Sequence, residues 1–482
     1  MRHILSSRVN RWACARAIAV VFLCAGAVTT LNQTTASAQG RGGATITSIQ
    51  VSPVNPSVDV GTTQQFEAMA KMSNGTTQNI TATATWQSSN VKDATIQTAR
   101  QAQPGLATGV AAGSVTITAS SSGKSGATTL DVISGSGGGG SATKIPLMDM
   151  TASETYQGFA GGLYENSSDT VPADHGSAGK SIAATVQPLD STGKPNANGK
   201  IVFLSIGMSN AYDEFGFFMN DAAASASVNH KTLVIAEGAL PGATAPCWLA
   251  ATGPGACDGD NQYDRVLQDV LTPLGVTQEQ VQVVWLNEAD STPGVDGCGA
   301  SGNVPCQPLC NDSAPGCSDT VTTTEALRYE AEAGDILRAA KTRWPNLKLA
   351  FISSRIYAGY ATIDLNPEPY AYEYGFSAKW LIEAQVIQAR NGFVDPTGGD
   401  LGFTSGVAPW IAWGPYTWAN GAIPRSDGLI WCDGQPSAPC KGEVDYQKDG
   451  THPNPVGAGK VATMMMNFFL GSPYTASWFA AP

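Results

Sequence analysis

Two kinds of hydrophobic patterning divide the chain. Between about residues 45 and 133, apolar and polar residues alternate in short runs, "TSIQVSP", "TQQFEAMAKM", "TATATWQSS" and "GSVTITASS", with Gly, Asn and Pro between them. Alternation is the period of a strand with one buried face, and short strands at regular spacing predict an all-β sandwich. Farther along, the apolar runs are continuous: "KIVFLSIG" (200–207), "KTLVIAEG" (231–238), "VQVVWLNE" (281–288) and "KLAFISSR" (348–355). Strands buried on both faces look this way and belong to parallel sheets. Between and after them, "NQYDRVLQDVLTPL" (261–274), "TTEALRYEAEAGDILRAAKTRW" (323–344), "FSAKWLIEAQVIQARN" (376–391) and "GAGKVATMMMNFFL" (457–470) predict helices. A further helix is expected to begin at "PADHGSAG", ahead of the first of these strands. Strand–helix repetition implies right-handed crossovers and a three-layer α/β/α domain over 145–475. The ligand site of such a domain lies beyond the carboxyl ends of its strands.

Two segments belong to neither pattern. "SGSGGGGS" (134–141) cannot build a core and predicts a flexible linker over 134–144. At the start, Arg2, Arg8, Arg11 and Arg16 precede "AIAVVFLCAGAV", and "ASA" follows at 36–38, the layout of a secretory signal peptide over 1–38. That run is short for a membrane span, and no later one reaches about 18 apolar residues. The expectation is a bacterial protein that is secreted, whether periplasmic or extracellular, with no transmembrane anchor in the mature chain.

An export signal changes how the cysteines are read. Cys14 and Cys24 fall in the leader, and Cys247, Cys257, Cys298, Cys306, Cys310, Cys317, Cys432 and Cys440 remain. An even set in an exported chain points to disulfides, with Cys247/Cys257 and Cys432/Cys440 spaced as loop staples. No histidine lies near them and no paired CxxC occurs, so a zinc site is not expected; no metal or cofactor is. The formal charge of −12 and the absence of a basic stripe exclude nucleic acid as a partner.

Several polar residues fall at the predicted strand ends. Ser209 follows the first strand on a Gly-containing turn, where a hydroxyl is exposed above the sheet and can act as a nucleophile. The second strand runs into Gly238 and Gly242, and the third ends in Asn287, Glu288 and Asp290. A side-chain amide there can donate to a developing oxyanion, which a carboxylate cannot. "DGTHP" places Asp449 three residues before His452, so the carboxylate can hold the imidazole with Nε2 turned toward a nucleophile. The chain has four histidines. His3 lies in the leader, His175 begins the helix ahead of the first strand, and His230 precedes the second strand at the wrong end of the sheet, leaving His452 as the base.

These residues carry two resemblances. The stretch "SIQVSPVNPSVDVGTTQQFEAMAKMSNGTTQNITATATWQSSN" with "GLATGVAAGSVTITA" resembles a bacterial immunoglobulin-like domain of the intimin/invasin type over 45–133, which implies an accessory module for spacing or for cell-surface or glycan contact. Residues 145–475 resemble the SGNH, or GDSL-type, serine hydrolases, which implies a flavodoxin-like parallel sheet. It also implies Ser209 in "GMSN" as nucleophile and Gly242 in "PGAT" as the second-block glycine, with Gly238 as the other candidate. Asn287 in "LNE" then matches the third block, and Asp449 with His452 the closing one. Met208 stands where the first block has aspartate, and "LNE" replaces Gly-Asn-Asp. The resemblance implies a secreted serine esterase with an oxyanion hole of Ser209 N–H, Gly242 N–H and the Asn287 amide.

The aromatics Tyr357, Tyr360, Tyr370, Tyr374, Trp410, Trp413, Tyr416, Trp418 and Trp431 suggest stacking platforms for sugar rings, and so an ester substrate that is an O-acetyl or other O-acyl group on a polysaccharide. Two other functions compete. One is a non-catalytic glycan- or surface-binding adhesin. The other is a glycoside hydrolase using Glu237 and Glu288 as its carboxylate pair.

Overall fold

The structure, a computed structural model, describes residues 44–59, 63–99, 104–133, 144–253, 257, 261–290, 325–363 and 365–482. The predicted signal peptide, the linker residues 134–143 and Cys298, Cys306, Cys310 and Cys317 lie outside the described residues.

The alternating segment folds as short strands gathered in small sheets, antiparallel apart from the parallel pairing of Lys124–Ile133 with Ser57–Asp59. Ile46–Ser52 pairs with Glu67–Met72, which pairs with Thr77–Asn79. Lys124–Ile133 lies between Gly113–Ser121 and Ser57–Asp59, and Thr85–Ser88 joins the far side of Gly113–Ser121. Thr63–Gln65, Leu106–Gly109 and Ala94–Ile96 form a third sheet. The period of two decides what is inside: Val115, Ile117 and Ala119 are buried along one strand while Thr116 and Thr118 between them face out. They join Phe66, Trp86, Leu130 and Val132 in a single core.

In the larger domain five parallel strands form one sheet: β1 (Ile201–Gly207), β2 (Leu233–Ala236), β3 (Val281–Asn287), β4 (Leu349–Ile352) and β5 (Trp410–Trp413), in the order β2-β1-β3-β4-β5. The reversal of order between β2 and β3 opens a crevice over the carboxyl end of β1. Helices α1 (Ala173–Ala183), α2 (Ser209–Ala224), α3 (Glu325–Arg343), α4 (Tyr370–Asn391) and α5 (Pro455–Gly471) cover the sheet. Alternate strand residues choose the face. Phe203, Trp285 and Phe351 pack with Phe215 and Phe218 of α2 and Met465 and Phe469 of α5. Leu204, Val284 and Ala350 pack with Ile336 and Leu337 of α3 and Leu381 and Ile382 of α4.

Four sequence expectations need correction. The sheet has a fifth strand, β5, which contains Trp410 and Trp413 of the expected aromatic platforms; at four residues it is too short for its pattern to announce it. The run 231–238 gives a strand of only four residues, since β2 is an edge strand with a single partner and Glu237 and Gly238 leave the ladder to bond Ser205. Residues 261–274 form one α-turn capped by Asn261 followed by a wider π-turn, Val266–Leu271, instead of a regular helix. Most important for function, Ser209 does not sit on a turn; it is the first residue of α2.

The paired-cysteine expectation is met at Cys247–Cys257 and Cys432–Cys440, both of which are disulfides. No described helix is long and apolar enough to cross a membrane.

Candidate active site

The site begins with the close approach of α2 to the sheet. Gly207 ends β1 in register with Asn287 of β3. A Cβ at Gly207 would lie 2.3 Å from Ala211 Cβ and 2.4 Å from the Asn287 carbonyl oxygen, so only glycine lets the helix turn back so tightly. Met208 is the N-cap, in extended conformation and with no side-chain bond to the helix. The first intrahelical bond runs from Tyr212 N to Met208 O. The amides of Ser209, Asn210 and Ala211 therefore have no partner within the helix, and the positive end of its dipole sits at Ser209. A methionine in place of a capping Ser, Thr, Asp or Asn leaves those donors free for a ligand.

The opposing wall is the turn before α5. Gly450 has φ +70°, and a Cβ there would fall 1.9 Å from the Tyr360 carbonyl oxygen. Thr362 N donates to Asp449 O at 2.8 Å, and Gln447 N to His452 O at 2.8 Å, which together fix the turn. Asp449 Oδ1 accepts from the backbone N–H of Thr451 and of His452, at 2.9 and 3.0 Å. Its other oxygen, Oδ2, lies 2.6 Å from His452 Nδ1, and His452 Nε2 lies 2.8 Å from Ser209 Oγ. Partial burial pushes the Asp449 carboxyl up, but the two backbone amides and the imidazole outweigh it and hold it below the ordinary carboxylate range. The three residues predicted from sequence thus form a continuous hydrogen-bonded chain.

Asn210 was not anticipated. It is buried, and its Nδ2 donates to Thr451 O at 3.0 Å, tying the residue after Ser209 to the residue before His452. Its adjacency to Ser209 is the only trace of this in the sequence.

The predicted oxyanion donors are placed less uniformly. Gly242 has φ +85° and open space where a Cβ would be, and among the described residues its N–H has no acceptor. Gly238, the other candidate, donates its N–H inward to Ser205 Oγ at 2.9 Å, and a Cβ there would lie 2.3 Å from the Ser205 carbonyl oxygen. Gly238 therefore anchors the loop and Gly242 presents it. Asn287 is fully buried, and its Nδ2 donates to Glu214 Oε2 at 2.7 Å, an interior partner that nothing in the sequence signalled.

The two carboxylates of the glycosidase alternative are both committed to the interior. Glu237 bonds Ser205 Oγ and accepts from Ala239 N at 3.1 Å, and burial pushes it up to about 8. Glu288 is buried and accepts from Ala289 N at 2.8 Å, with burial raising it well above the usual range. Behind them Arg328 lies 3.4 Å from Asp290 and 3.1 Å from Glu332, a charge cluster at the start of α3.

The expectation of aromatic platforms is corrected. Tyr374, Trp410, Trp413, Tyr416, Trp418 and Trp431 are buried core residues, and only Tyr357, Tyr360 and Tyr370 are partly accessible. Cys432, Glu443 and Asp445 cluster closely enough to suggest a metal site. The Cys432 sulfur is in a disulfide, however, and the Lys460 ammonium contacts both carboxylates, at 2.5 and 2.7 Å.

Comparison with known proteins places the first domain. The family model of the bacterial Ig-like domain (group 2) matches residues 45–142, ending before the first residue of the triad. Ice-binding protein 1 of Shewanella frigidimarina (strain NCIMB 400) is 46% identical over 77 residues, covering 16% of this chain and 8% of that protein. The crystal structure of the S-layer protein rSbsC(31-844) is 25% identical over 20% of this chain and 14% of that one, with a TM-score of 0.18. Domains 4 and 5 of SbsC are 24% identical over 19% of this chain and 54% of that one, with a TM-score of 0.17. The chain thus spans a small part of the length of the curated relative, and the family model covers the β-sandwich expected over 45–133 and runs on into the expected linker, to residue 142.

Proposed function

We propose that the larger domain is a serine esterase and that the Ig-like domain serves surface contact. The reading rests on one observation: Ser209 Oγ, His452 and Asp449 line up through contacts of 2.8 and 2.6 Å at the start of an uncapped helix. In this reading His452 takes the Ser209 proton as the serine oxygen attacks an ester carbonyl. Asp449 holds the Nδ1–H tautomer and stabilises the imidazolium. The negative oxygen is met by amides at the start of α2 and by Gly242, with Asn287 as a further donor. The imidazolium returns its proton to the departing alkoxide, and water then releases the acid by the same route in reverse.

The substrate class is a carboxylic ester. An O-acyl carbohydrate is the finer proposal; with most of the aromatics buried, it leans on Tyr357 and Tyr360, whose segment packs directly on the Asp449 turn. Secretion is proposed on the leader-like start of the sequence.

The comparisons favour a second reading, a non-catalytic surface or adhesin-like role. The Ig-like match and the identity to an ice-binding protein support it. Hydrolysis of p-nitrophenyl acetate by the protein and by its His452→Ala variant separates the two. Turnover by the parent that collapses in the variant is the expected result; a parent that is inert, or a variant that keeps its rate, overturns the esterase reading in favour of the adhesin.

A further inference from the structure

Helix α2 carries a second polar side chain toward the strand ends besides its nucleophile. Glu214, five residues after Ser209, is fully buried, and its Oε2 accepts the 2.7 Å hydrogen bond from Asn287 Nδ2. Asn287 is equally buried at the end of β3, beside Gly207. Two atoms of this pair have no partner among the described residues, Glu214 Oε1 and Asn287 Oδ1. With Glu214 ionised, both are acceptors, and two unmatched acceptors in a dry interior are unfavourable. A neutral Glu214 has an O–H to donate, and Asn287 Oδ1 is a buried acceptor without a donor among the described residues, so a single proton on the carboxyl is the economical remedy for both deficits.

We infer that Glu214 is a positioning residue, which holds the Asn287 amide in the orientation that presents its second N–H to the oxyanion formed when Ser209 attacks the ester. The inference rests on the esterase reading and adds to it the device that orients one of its donors. An amide with one N–H committed to Glu214 cannot rotate, so its other N–H has a fixed direction, as a preorganised donor needs. Ionisation of Glu214 reverses the benefit. Asn287 Oδ1 loses its donor, and a full negative charge then lies behind the point where the transition state develops one. Burial favours the neutral form and pushes Glu214 up to about 8. The positive Arg355 guanidinium beyond β4 and the Asn287 N–H oppose that rise, and Asp213 on α2 itself adds to it.

The test compares kcat and KM for p-nitrophenyl acetate from about pH 6 to 9 in the parent, Ser209→Ala, Glu214→Ala and Glu214→Gln, with a thermal melt of each. Glu214→Ala is expected to lower kcat about 100- to 1,000-fold, as loss of an oxyanion donor does, with KM little changed. Glu214→Gln recovers most of that loss, because a glutamine amide both accepts from and donates to Asn287. The parent's kcat falls above about pH 8, and the glutamine variant lacks that alkaline fall. A Ser209-dependent parent whose Glu214→Ala variant keeps its kcat overturns the inference alone, and so does a glutamine variant that keeps the alkaline fall. If the melt shows Glu214→Ala unfolded, the glutamine profile decides. A parent without Ser209-dependent turnover overturns the esterase reading and this inference with it.

Discussion

Replacing Asp449 with asparagine tests the triad by exchanging one carboxylate oxygen for an NH2 group. The Asp449 Oδ1 position receives two backbone N–H groups, at 2.9 and 3.0 Å. Those donors require an acceptor, so the asparagine carbonyl must take that place. The alternative orientation would set an NH2 against two N–H groups and leave them unsatisfied, at about 1–3 kcal/mol each. The NH2 then faces His452 Nδ1 across the 2.6 Å contact now made by Oδ2. Nδ1 becomes the acceptor and the ring proton moves to Nε2, the nitrogen 2.8 Å from Ser209 Oγ. A protonated Nε2 cannot take the serine proton. Amide-for-carboxylate replacement in Ser-His-Asp triads lowers kcat by about 10⁴-fold, which is about 5 kcal/mol of transition-state stabilisation. The expected result is a fall of that size in kcat on p-nitrophenyl acetate with KM changed by less than about threefold, and a melting temperature close to the parent's, since both backbone bonds survive. A fall of less than about tenfold, in a variant that melts like the parent, would refute the tautomer argument and the base role of His452.

Three further predictions follow from the geometry around the triad. Gly207→Ala forces a Cβ to within 2.4 Å of the Asn287 carbonyl oxygen; chemical denaturation should show a loss of at least about 1–3 kcal/mol, and a variant as stable as the parent would show that α2 can move away at no cost. Breaking Cys432–Cys440 by substituting both with serine opens a staple with a sequence separation of 8, and the chain-entropy estimate for so short a loop is a loss of about 2–3 kcal/mol, checked by urea denaturation of the double variant. Glu237, pushed up to about 8 by burial, binds its proton more tightly folded than unfolded, so the stability it contributes is complete below the unfolded value near 4.5 and is lost as pH rises toward 8. Between those limits Glu237→Gln should melt with a flatter pH dependence than the parent, the difference in slope reaching at most about 1.4 kcal/mol per pH unit, and parallel curves would show that Glu237 is ionised in the folded protein.

What could be read from the sequence was what depends on local pattern. Alternation in "GSVTITASS" and continuity in "VQVVWLNE" were enough to separate a β-sandwich from a parallel sheet, because burial on one face or on two is written directly into the order of residues. The residues of the Ser209–His452–Asp449 hydrogen-bonded chain were legible because they lie at element ends, where a polar residue in a Gly-containing segment stands out. What pairing decides was not legible. Strand β5 is short and is defined by its register against Leu349–Ile352. The position of Ser209 as the first residue of α2 was hidden by Met208, which gives no capping signal. The aromatics between 356 and 431 have the composition of a platform and the burial of a core, and composition alone cannot tell these apart.

The polar interior behind the triad was hidden for a related reason, and it bears on how the site works. Glu214, Glu237, Asn287, Glu288 and Arg355 are distributed over α2 and the ends of β2, β3 and β4, more than 140 residues of sequence, and only the parallel register brings these strand ends together. An interior built for stability alone would fill this layer with hydrocarbon, since a buried carboxyl contributes nothing that a well-packed leucine would not. Here the carboxyls are bonded to the parts that the proposed esterase would have to hold still: Glu237 to Ser205 and to the loop that ends in Gly242, and Glu214 to Asn287. Asn210 does the same for the turn that carries His452. The adhesin reading assigns these ties no role. Their removal should therefore lower turnover far more than it lowers adhesion, and a variant series in Glu214, Asn210 and Ser209 that alters surface binding in proportion to activity would contradict the division of labour between the two domains.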